Sequence, residues 1–561
     1  VDDRLILDHV WAHAAQRPAQ VLLTQPVGGA QVVDYTWAEV LDQARRMAAH
    51  LQSLGLPRGA RVAILSKNCA HFVIAELAVW IGGYTTVAIF PTETAETVRY
   101  VLEHSEASAL FVGKLDLWPQ QSAGVPAGLP CIALPLAPPT PHPRWDEIVA
   151  RTPPLAGQPA RAADELAMLI YTSGSTGTPK GAMVRFDAFS RAAAGIVADL
   201  RARLGEGDIR ALSYLPLAHS MERSWGEGAA LVDGRTHLYF AESIDTFVAD
   251  LKRARPTVFM SVPRLWLKFQ LGVHAKMPPA RLERLLGIPL LGRLVARKVL
   301  AGLGLDAVRI AGSGSAPLPA ELLRWYRRLG LQLYEGYGMT EDNSYSHSSR
   351  EGYSEPGWVG VPLPGVEVRI ADDGEVLIKS PGQFSGYYKQ PELSAESFTA
   401  DGYFRTGDLG ERRADGLLRL TGRKKELFKT AKGKYVAPAP IENLLNASGL
   451  VEACMVGGVG RAAPYALVVL AEELRARLAD DAQRGAARVE LQQRLAALLD
   501  RVNARLPAHE RLQMIVVARE PWTIDNGCLT PTMKIRRARI EQACAAAVEG
   551  WYDCGQRVVW A

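Results

Sequence analysis

The 561-residue chain reads as an α/β fold followed by a smaller α+β domain. Three observations predict this. The length exceeds what a single hydrophobic core serves, so at least two domains are expected. The first third alternates amphipathic helix signals with short buried strands, the rhythm of parallel β-α-β units. From Ile441 onward, helix and strand patterns mix in a segment able to fold alone. The boundary is expected at 421–425, giving domains 1–421 and 422–561.

The N-terminus, VDDRLILDHVWAHAAQRP, is a short amphipathic stretch with two early acids and no signal-peptide pattern. Thr36 and Glu39 form a capping box, followed by Val40, Leu41, Ala44, Met47, Ala48 and Leu51 at helical spacing. Gly55 and Pro57 are expected to end that helix. Arg61–Leu65 reads as a buried strand. Asn68 is expected to cap a second helix through Trp80, stopped by Gly82 and Gly83, with 85–90 returning as a strand. The proline- and alanine-rich stretch 118–159 reads as surface loop. A strand at 167–171 runs into a glycine-rich loop. Short strands and turns fill 360–388, with Asp373-Gly374 as a hairpin signal.

Composition narrows the function classes. Hydrophobic content of 48% and charged content of 22% are ordinary for a globular protein. A net charge of +5, from 64 basic against 59 acidic residues, makes no case for nucleic-acid binding and suits anionic ligands weakly. Cys69, Cys131, Cys454, Cys528, Cys544 and Cys554 are scattered without a CxxC pair, as reduced core residues are. No apolar run of about 18 residues offers a membrane span, so a cytoplasmic location is expected, or a peripheral one at the inner face of a membrane. The tail 550–561, with Trp551, Tyr552 and Trp560, reads either as packed on the core or as resting on a membrane surface.

Five motifs carry chemistry. The first is Tyr171-Thr172-Ser173-Gly174-Ser175-Thr176-Gly177-Thr178-Pro179-Lys180-Gly181. Glycines let backbone N–H groups approach phosphate, hydroxyls add donors and Lys180 adds charge. Pro-Lys-Gly stands where a Walker A loop requires Gly-Lys-Ser/Thr. A solvated linker has similar composition, but the preceding strand and the following lysine favour phosphate binding.

The second motif is Tyr334-Glu335-Gly336-Tyr337-Gly338-Met339-Thr340-Glu341. Its aromatic among glycines can stack on a purine, and Glu341 suits Mg²⁺; a glycine-rich turn around a core tyrosine is the equal alternative. The third, Gly402 to Leu409, fixes Asp408 where it can accept both ribose hydroxyls, although an Asx turn is the commoner fate of such a residue. The fourth, GRKKEL from Gly422 to Lys434 and beyond, otherwise reads as a solvated charged face. The fifth, LTPTMKIRR around Lys534, otherwise carries only a solubilising lysine.

In this order the five motifs resemble the adenylate-forming superfamily of acyl-CoA synthetases, adenylation domains and luciferases. The resemblance runs from the Thr36 helix to Lys534. YLPLAH at 214–219 and GRKKELFKTAKGKYVAP from Gly422 look most like bacterial long-chain fatty acyl-CoA synthetases. It implies an N-terminal domain of layered sheets and helices plus a small β-barrel, and a mobile α+β C-terminal domain. It implies that Thr172 to Lys180 hold the β- and γ-phosphates of ATP. Gly314, Ser315 and Ala316 would lie beside adenine and the acyl carboxylate, with Ser315 where glycine is more usual.

Gly336, Tyr337, Gly338 and Met339 would form the adenine segment, with Tyr337 stacking. Thr340 would contact the α-phosphate and Glu341 would bind Mg²⁺. Asp408 and Arg423 would hold the ribose, Lys425 would be the hinge, Gly433 would line the pantetheine tunnel, and Lys534 would be the catalytic lysine. The implied reaction joins a fatty acid to coenzyme A through acyl-AMP, with domain alternation between steps. Rival readings are an acyl-AMP ligase loading a carrier protein, an aryl-acid CoA ligase, and a nucleotide-binding protein without catalysis. Residues 216–240 and 256–266 are expected to help line the acyl pocket. His219 is a candidate for its wall or a satisfied structural histidine.

Overall fold

The β-α-β rhythm of the first third folds into a six-stranded sheet in a computed structural model that describes residues 3–173, 178–530 and 533–561. The strand order is Cys131–Ala133, Ala107–Val112, Arg61–Leu65, Thr85–Ile89, Leu166–Ser173 and Pro179–Arg185. The first five are parallel and the last is antiparallel. Alternate residues enter two cores: Val62, Ile64, Ala88 and Ile170 on one face, Ala63, Leu65, Val87 and Leu169 on the other. A parallel sheet buried on both faces needs this continuous apolar run.

The helix Trp37–Ser53 starts as its capping box dictates: the Glu39 N–H donates to Thr36 Oγ1 at 3.3 Å, and Glu39 accepts from the Thr36 N–H at 2.8 Å. Val40, Ala44, Met47, Ala48 and Leu51 are buried, while Leu41 sits half-buried at the stripe's edge.

Two expectations are corrected. Asn68 does not cap the next helix, Ala70–Ile81, whose cap position is Cys69. Its amide instead donates to Ser213 Oγ at 2.8 Å and the Leu215 carbonyl at 2.7 Å, and accepts from the Leu217 N–H at 3.1 Å. It thus pins the 213–217 segment. The stretch 118–159 is also more than loop, because Cys131–Ala133 pairs with Ala107–Val112 and the helix Trp145–Arg151 buries Trp145. Proline-rich flanks hid a strand that depends on its neighbour's edge.

Two further sheets belong to the first part of the chain. One orders Val32–Thr36, Val21–Pro26, His237–Phe240 and Arg210–Ser213. The other orders Val258–Ser261, Ile310–Ser313, Leu333–Tyr337, His347–Ser348 and Val361–Pro362, the first three parallel. A π-helix, Glu222–Gly228, follows YLPLAH, a geometry found mostly at functional sites. It sinks Arg223 between Glu76 and Glu227, all three fully buried. Burial pushes both carboxyls up, against the pull of the Arg223 charge.

The chain divides into two compact units, the second made of 369–377, 406–413 and 418–561. The expected division fell at 421/422. The hairpin at Asp373-Gly374 forms, with Gly374 at φ +84° and the Ala371 N–H donating to the Glu375 carbonyl at 2.9 Å. Beyond it, the strands Val451–Gly457, Tyr465–Leu470, Ile515–Val517 and Val558–Trp560 form one sheet. Val456, Val468, Ile515 and Val558 face a core with Leu445, Leu491 and Leu495, while Met455, Leu467, Val516 and Val559 face Ile540 and Trp551.

This alternation gives the second unit a core of its own. The tail packs as part of it: Trp551 is buried, and Trp560 Nε1 donates to Gln492 Oε1 at 2.6 Å. All six cysteines are unpaired thiols, with Cys69, Cys131 and Cys454 buried.

Candidate active site

In the first unit, the candidate residues gather at the carboxyl ends of parallel strands, where open α/β sheets bind ligands. Ile310–Ser313 runs into Gly314, Ser315 and Ala316, and its neighbour Leu333–Tyr337 runs into Gly338 to Glu341. The two turns approach closely, because a Cβ on Gly314 would stand 3.6 Å from the Gly336 carbonyl oxygen. Ser315 is exposed and has φ +70°, the left-handed region that favours glycine. That is why glycine is the easier residue there.

Thr340 opens a short 3-10 turn, Thr340–Asp342, and is buried. The turn is held from several sides. Ser220 Oγ lies 2.9 Å from Ser344 Oγ and 3.4 Å from Thr340 Oγ1. Trp225 Nε1 donates to the Ser344 carbonyl at 3.0 Å, and Asn343 Nδ2 donates to the Gly382 carbonyl at 2.8 Å. Asn343 and Ser344 both take φ +54°. Gly338 is required by packing: a Cβ there would come within 2.8 Å of the Ser344 Cα. Asp342, beneath the turn, accepts from the Met339 N–H at 2.9 Å, and burial pushes its carboxyl up to about 7. Tyr337 is half-buried, with its ring centroid 6.0 Å from that of His347.

Glu341 is joined to the strand Pro179–Arg185, which follows the glycine-rich segment, by a residue outside the five motifs. Tyr387 O–H donates to Glu341 Oε1 at 2.7 Å, and Lys180 Nζ stands 5.6 Å from the Tyr387 ring centroid. Burial, with the Glu341 charge, pushes the Tyr387 phenol well above its usual range. The segment 384–388 makes this link by pairing with the strand Pro179–Arg185. The Met183 N–H donates to the Gly386 carbonyl at 2.9 Å and the Tyr388 N–H to the Gly181 carbonyl at 2.8 Å. Two adjacent tyrosines after a serine-glycine pair were the available signal, and only the pairing gives them meaning.

Thr172 pairs with Lys180 across the antiparallel hairpin, and Thr178 is exposed just before its second strand. Gly174, Ser175, Thr176 and Gly177 lie outside the described residues, as does the side chain of Ser173. His219 Nδ1 accepts from the Met221 N–H at 3.1 Å.

A lone carboxylate with one oxygen already hydrogen-bonded suits Mg²⁺, which fills its octahedron with water and phosphate oxygens. Among the described residues no cluster of three or more His, Cys, Asp or Glu offers an all-protein metal cage. Glu341 therefore fits the ion as a single protein ligand.

The second unit carries the remaining candidates on turns and strand ends. Asp408 is buried and forms an ion pair with Arg423, whose Nε stands 2.9 Å from Asp408 Oδ1 across the paired strands Phe404–Arg412 and Leu418–Arg423. The two expected ribose partners thus meet directly. Lys425 is exposed in the 3-10 turn Lys424–Glu426. Its neighbour Lys424 bonds Asp373 at 2.5 Å and Glu375 at 3.1 Å.

Gly433 sits at φ +72° in the hairpin between Phe428–Lys429 and Tyr435–Val436, and its N–H donates to the Thr430 carbonyl at 2.9 Å. Lys534 is exposed on a second hairpin. There the Thr530 N–H donates to the Lys534 carbonyl at 2.8 Å, the Lys534 N–H donates to Thr530 Oγ1 at 3.0 Å, and Met533 takes φ +62°.

Known proteins resemble this chain in sequence and fold. The AMP-binding enzyme family matches residues 10–388, and the AMP-binding enzyme C-terminal domain matches 426–556. The chain is similar to the long-chain-fatty-acid–CoA ligase FadD15 of Mycobacterium tuberculosis, 33% identical over 97% of this chain and 96% of the relative. It is also similar to the human long-chain-fatty-acid–CoA ligase 1, 30% identical over 96% of this chain and 86% of the relative. Among solved structures, the A domain of carboxylic acid reductase from Segniliparus rugosus, in complex with AMP, superimposes with a TM-score of 0.80 at 22% identity. That match covers 98% of this chain and 94% of the other. A family match over most of the length, and a relative at this identity across nearly all of it, fix the assignment: the chain belongs to the AMP-binding enzyme family.

Proposed function

We propose that the chain is an acid–thiol ligase that activates a medium- to long-chain fatty acid with ATP and passes the acyl group to coenzyme A. The observation that carries this is the 33% identity, spanning 97% of the chain, to a long-chain-fatty-acid–CoA ligase.

In the first step a carboxylate oxygen attacks the α-phosphorus, the bond to the bridging oxygen breaks, and pyrophosphate leaves. Both reactants are anions, so catalysis is chiefly alignment and charge neutralisation. Lys180 and the Thr172–Thr178 loop would bind the β- and γ-phosphates, and the Thr340 hydroxyl would donate to the α-phosphate. Tyr337 would stack on adenine beside Gly314, Ser315 and Ala316. Asp408, already fixed by Arg423, would accept from the ribose hydroxyls. Glu341 would hold Mg²⁺, which offsets phosphate charge when bound; Tyr387 keeps that carboxylate oriented. Lys534 would place its ammonium at the bridging oxygen.

In the second step the coenzyme A sulfur attacks the acyl carbonyl and AMP leaves, the thiol proton passing to solvent. Gly433 would admit the pantetheine arm, since among the described residues nothing beyond its chain neighbours lies within 4 Å of its Cβ position. Lys425 would be the hinge between the two steps.

The test is thioester formation across acids from acetate to stearate, with benzoate included. The expected outcome is a kcat/KM that rises with chain length, because each buried CH₂ contributes about 0.8 kcal/mol. A preference for acetate or benzoate would overturn the substrate class. Acyl-AMP that accumulates without thioester would overturn coenzyme A as acceptor and favour a carrier protein.

A further inference from the structure

The chain's positive charge is not spread evenly. Between Pro263 and Leu303 there are eight lysines and arginines against one acid, Glu283, whereas the remaining chain has 56 basic and 58 acidic residues. The whole excess of +5 therefore originates in this segment. Its single acid is itself neutralised by an ion pair with Arg328.

The same segment forms three helices, Pro263–Lys276, Pro279–Leu286 and Leu291–Leu303. Their inner faces are accounted for: Trp266, Phe269, Leu282, Ala296 and Leu300 pack in one core. Their outer side is not. Leu290 is 75% exposed, Leu294 64% and Ile288 47%, with Leu291 and Leu271 also exposed. Around them Arg284, Arg293, Arg297 and Lys298 are exposed as well. Leu290 stands at φ +64°, left-handed backbone that a leucine rarely takes. A side chain held at that cost and turned to solvent contributes little to folding, and such outliers point to function.

We infer that the tip at 288–294, with the basic helices around it, docks this protein on an anionic lipid surface. Exposed leucines on a turn insert among headgroups, and the ring of lysines and arginines is drawn to anionic lipid. Charge complementarity selects this occupant, because an apolar tip ringed by one sign of charge fits a surface that is apolar beneath and negative above. Among the described residues no helix is long and apolar enough to cross a membrane, so the protein lies on the surface through this face. The inference rests on the surface alone and needs no particular acyl substrate.

The experiment is co-flotation of the full chain with vesicles of phosphatidylcholine alone and of phosphatidylcholine with phosphatidylglycerol. Binding is expected to the mixed vesicles and to fall as salt rises, since screening shortens the reach of the charges. The Arg293→Glu, Arg297→Glu, Lys298→Glu triple variant is expected to bind at least about tenfold more weakly. Leu290→Asn with Leu294→Asn is expected to lose binding while keeping turnover of a soluble acid such as octanoate. Equal binding to neutral vesicles, no binding by the unaltered chain, or unchanged binding by both variants would overturn the inference. So would self-association through this face that the leucine variant breaks while vesicles go unbound, which would assign the patch to a second copy of the chain.

Discussion

The two units hold their chemistry in opposite ways. In the first, the turn 339–344 is tied by Ser220, Trp225, Asn343 and the close approach of Gly338 to Ser344, and Glu341 is oriented by Tyr387. In the second, Lys534 and Gly433 stand on exposed hairpins, each shaped by left-handed backbone and a few hydrogen bonds. The first kind of site is preorganised by packing, which suits groups that fix a nucleotide. Asp408 of the second unit is buried against Arg423, but its hairpins leave Lys534 in solvent, which suits a group that acts in one step and leaves for the next. A substitution that strips a partner from the tied turn should therefore disturb folding along with function, and one on the exposed hairpins function alone.

The largest expected effect is at Lys534. Lys534→Ala should slow acyl-AMP formation by about 10²–10³-fold, the scale for one charge-stabilising group. The melting temperature should stay unchanged, and transfer from supplied acyl-AMP to coenzyme A should be spared. A clear fall in melting temperature would break the contrast between the units. Next is Glu341, where Glu341→Ala should raise the Mg²⁺ requirement and also leave the buried Tyr387 hydroxyl without its acceptor. That loss costs about 1–3 kcal/mol, so activity and stability should fall together. Glu341→Gln keeps an acceptor and should lose activity alone.

A third prediction concerns Glu222 in the π-helix, which burial pushes from 4.5 up to about 8. A carboxyl raised in the folded state contributes stability that is full below pH 4.5 and is lost as pH rises to about 8. Glu222→Gln does not titrate, so its melting temperature relative to the unaltered chain should climb across that window and then level off. A constant difference at every pH would contradict it. The smallest effect is at Ser315: Ser315→Gly should relieve the left-handed strain and gain about 0.5 kcal/mol, part of the relief being offset by glycine's unfolded-state freedom. Thermal melting with unchanged turnover checks it.

Local chemistry made much of this legible. The capping box at Thr36 and the strand Arg61–Leu65 are written in consecutive residues, and they appear where the spacing places them. The hairpin at Asp373-Gly374 is equally local. Features that depend on partners distant in sequence were not readable. Asn68 looked like a cap because its residue type suits one, yet its amide is used on 213–217, 145 or more positions away. The strand Cys131–Ala133 exists because an edge was available to pair with. Tyr387 acquires its place only when 384–388 lies beside Pro179–Arg185. The motifs named the candidate turns, and the tertiary pairing supplied what orients them.

In the proposed reaction an adenylate forms before coenzyme A takes part. The direct measurement is exchange of labelled pyrophosphate into ATP by the unaltered chain, with a long-chain acid and Mg²⁺ but no coenzyme A. Exchange that requires the acid and proceeds without coenzyme A is the predicted result. Exchange that appears only when coenzyme A is added, or thioester formation without any exchange, would contradict it.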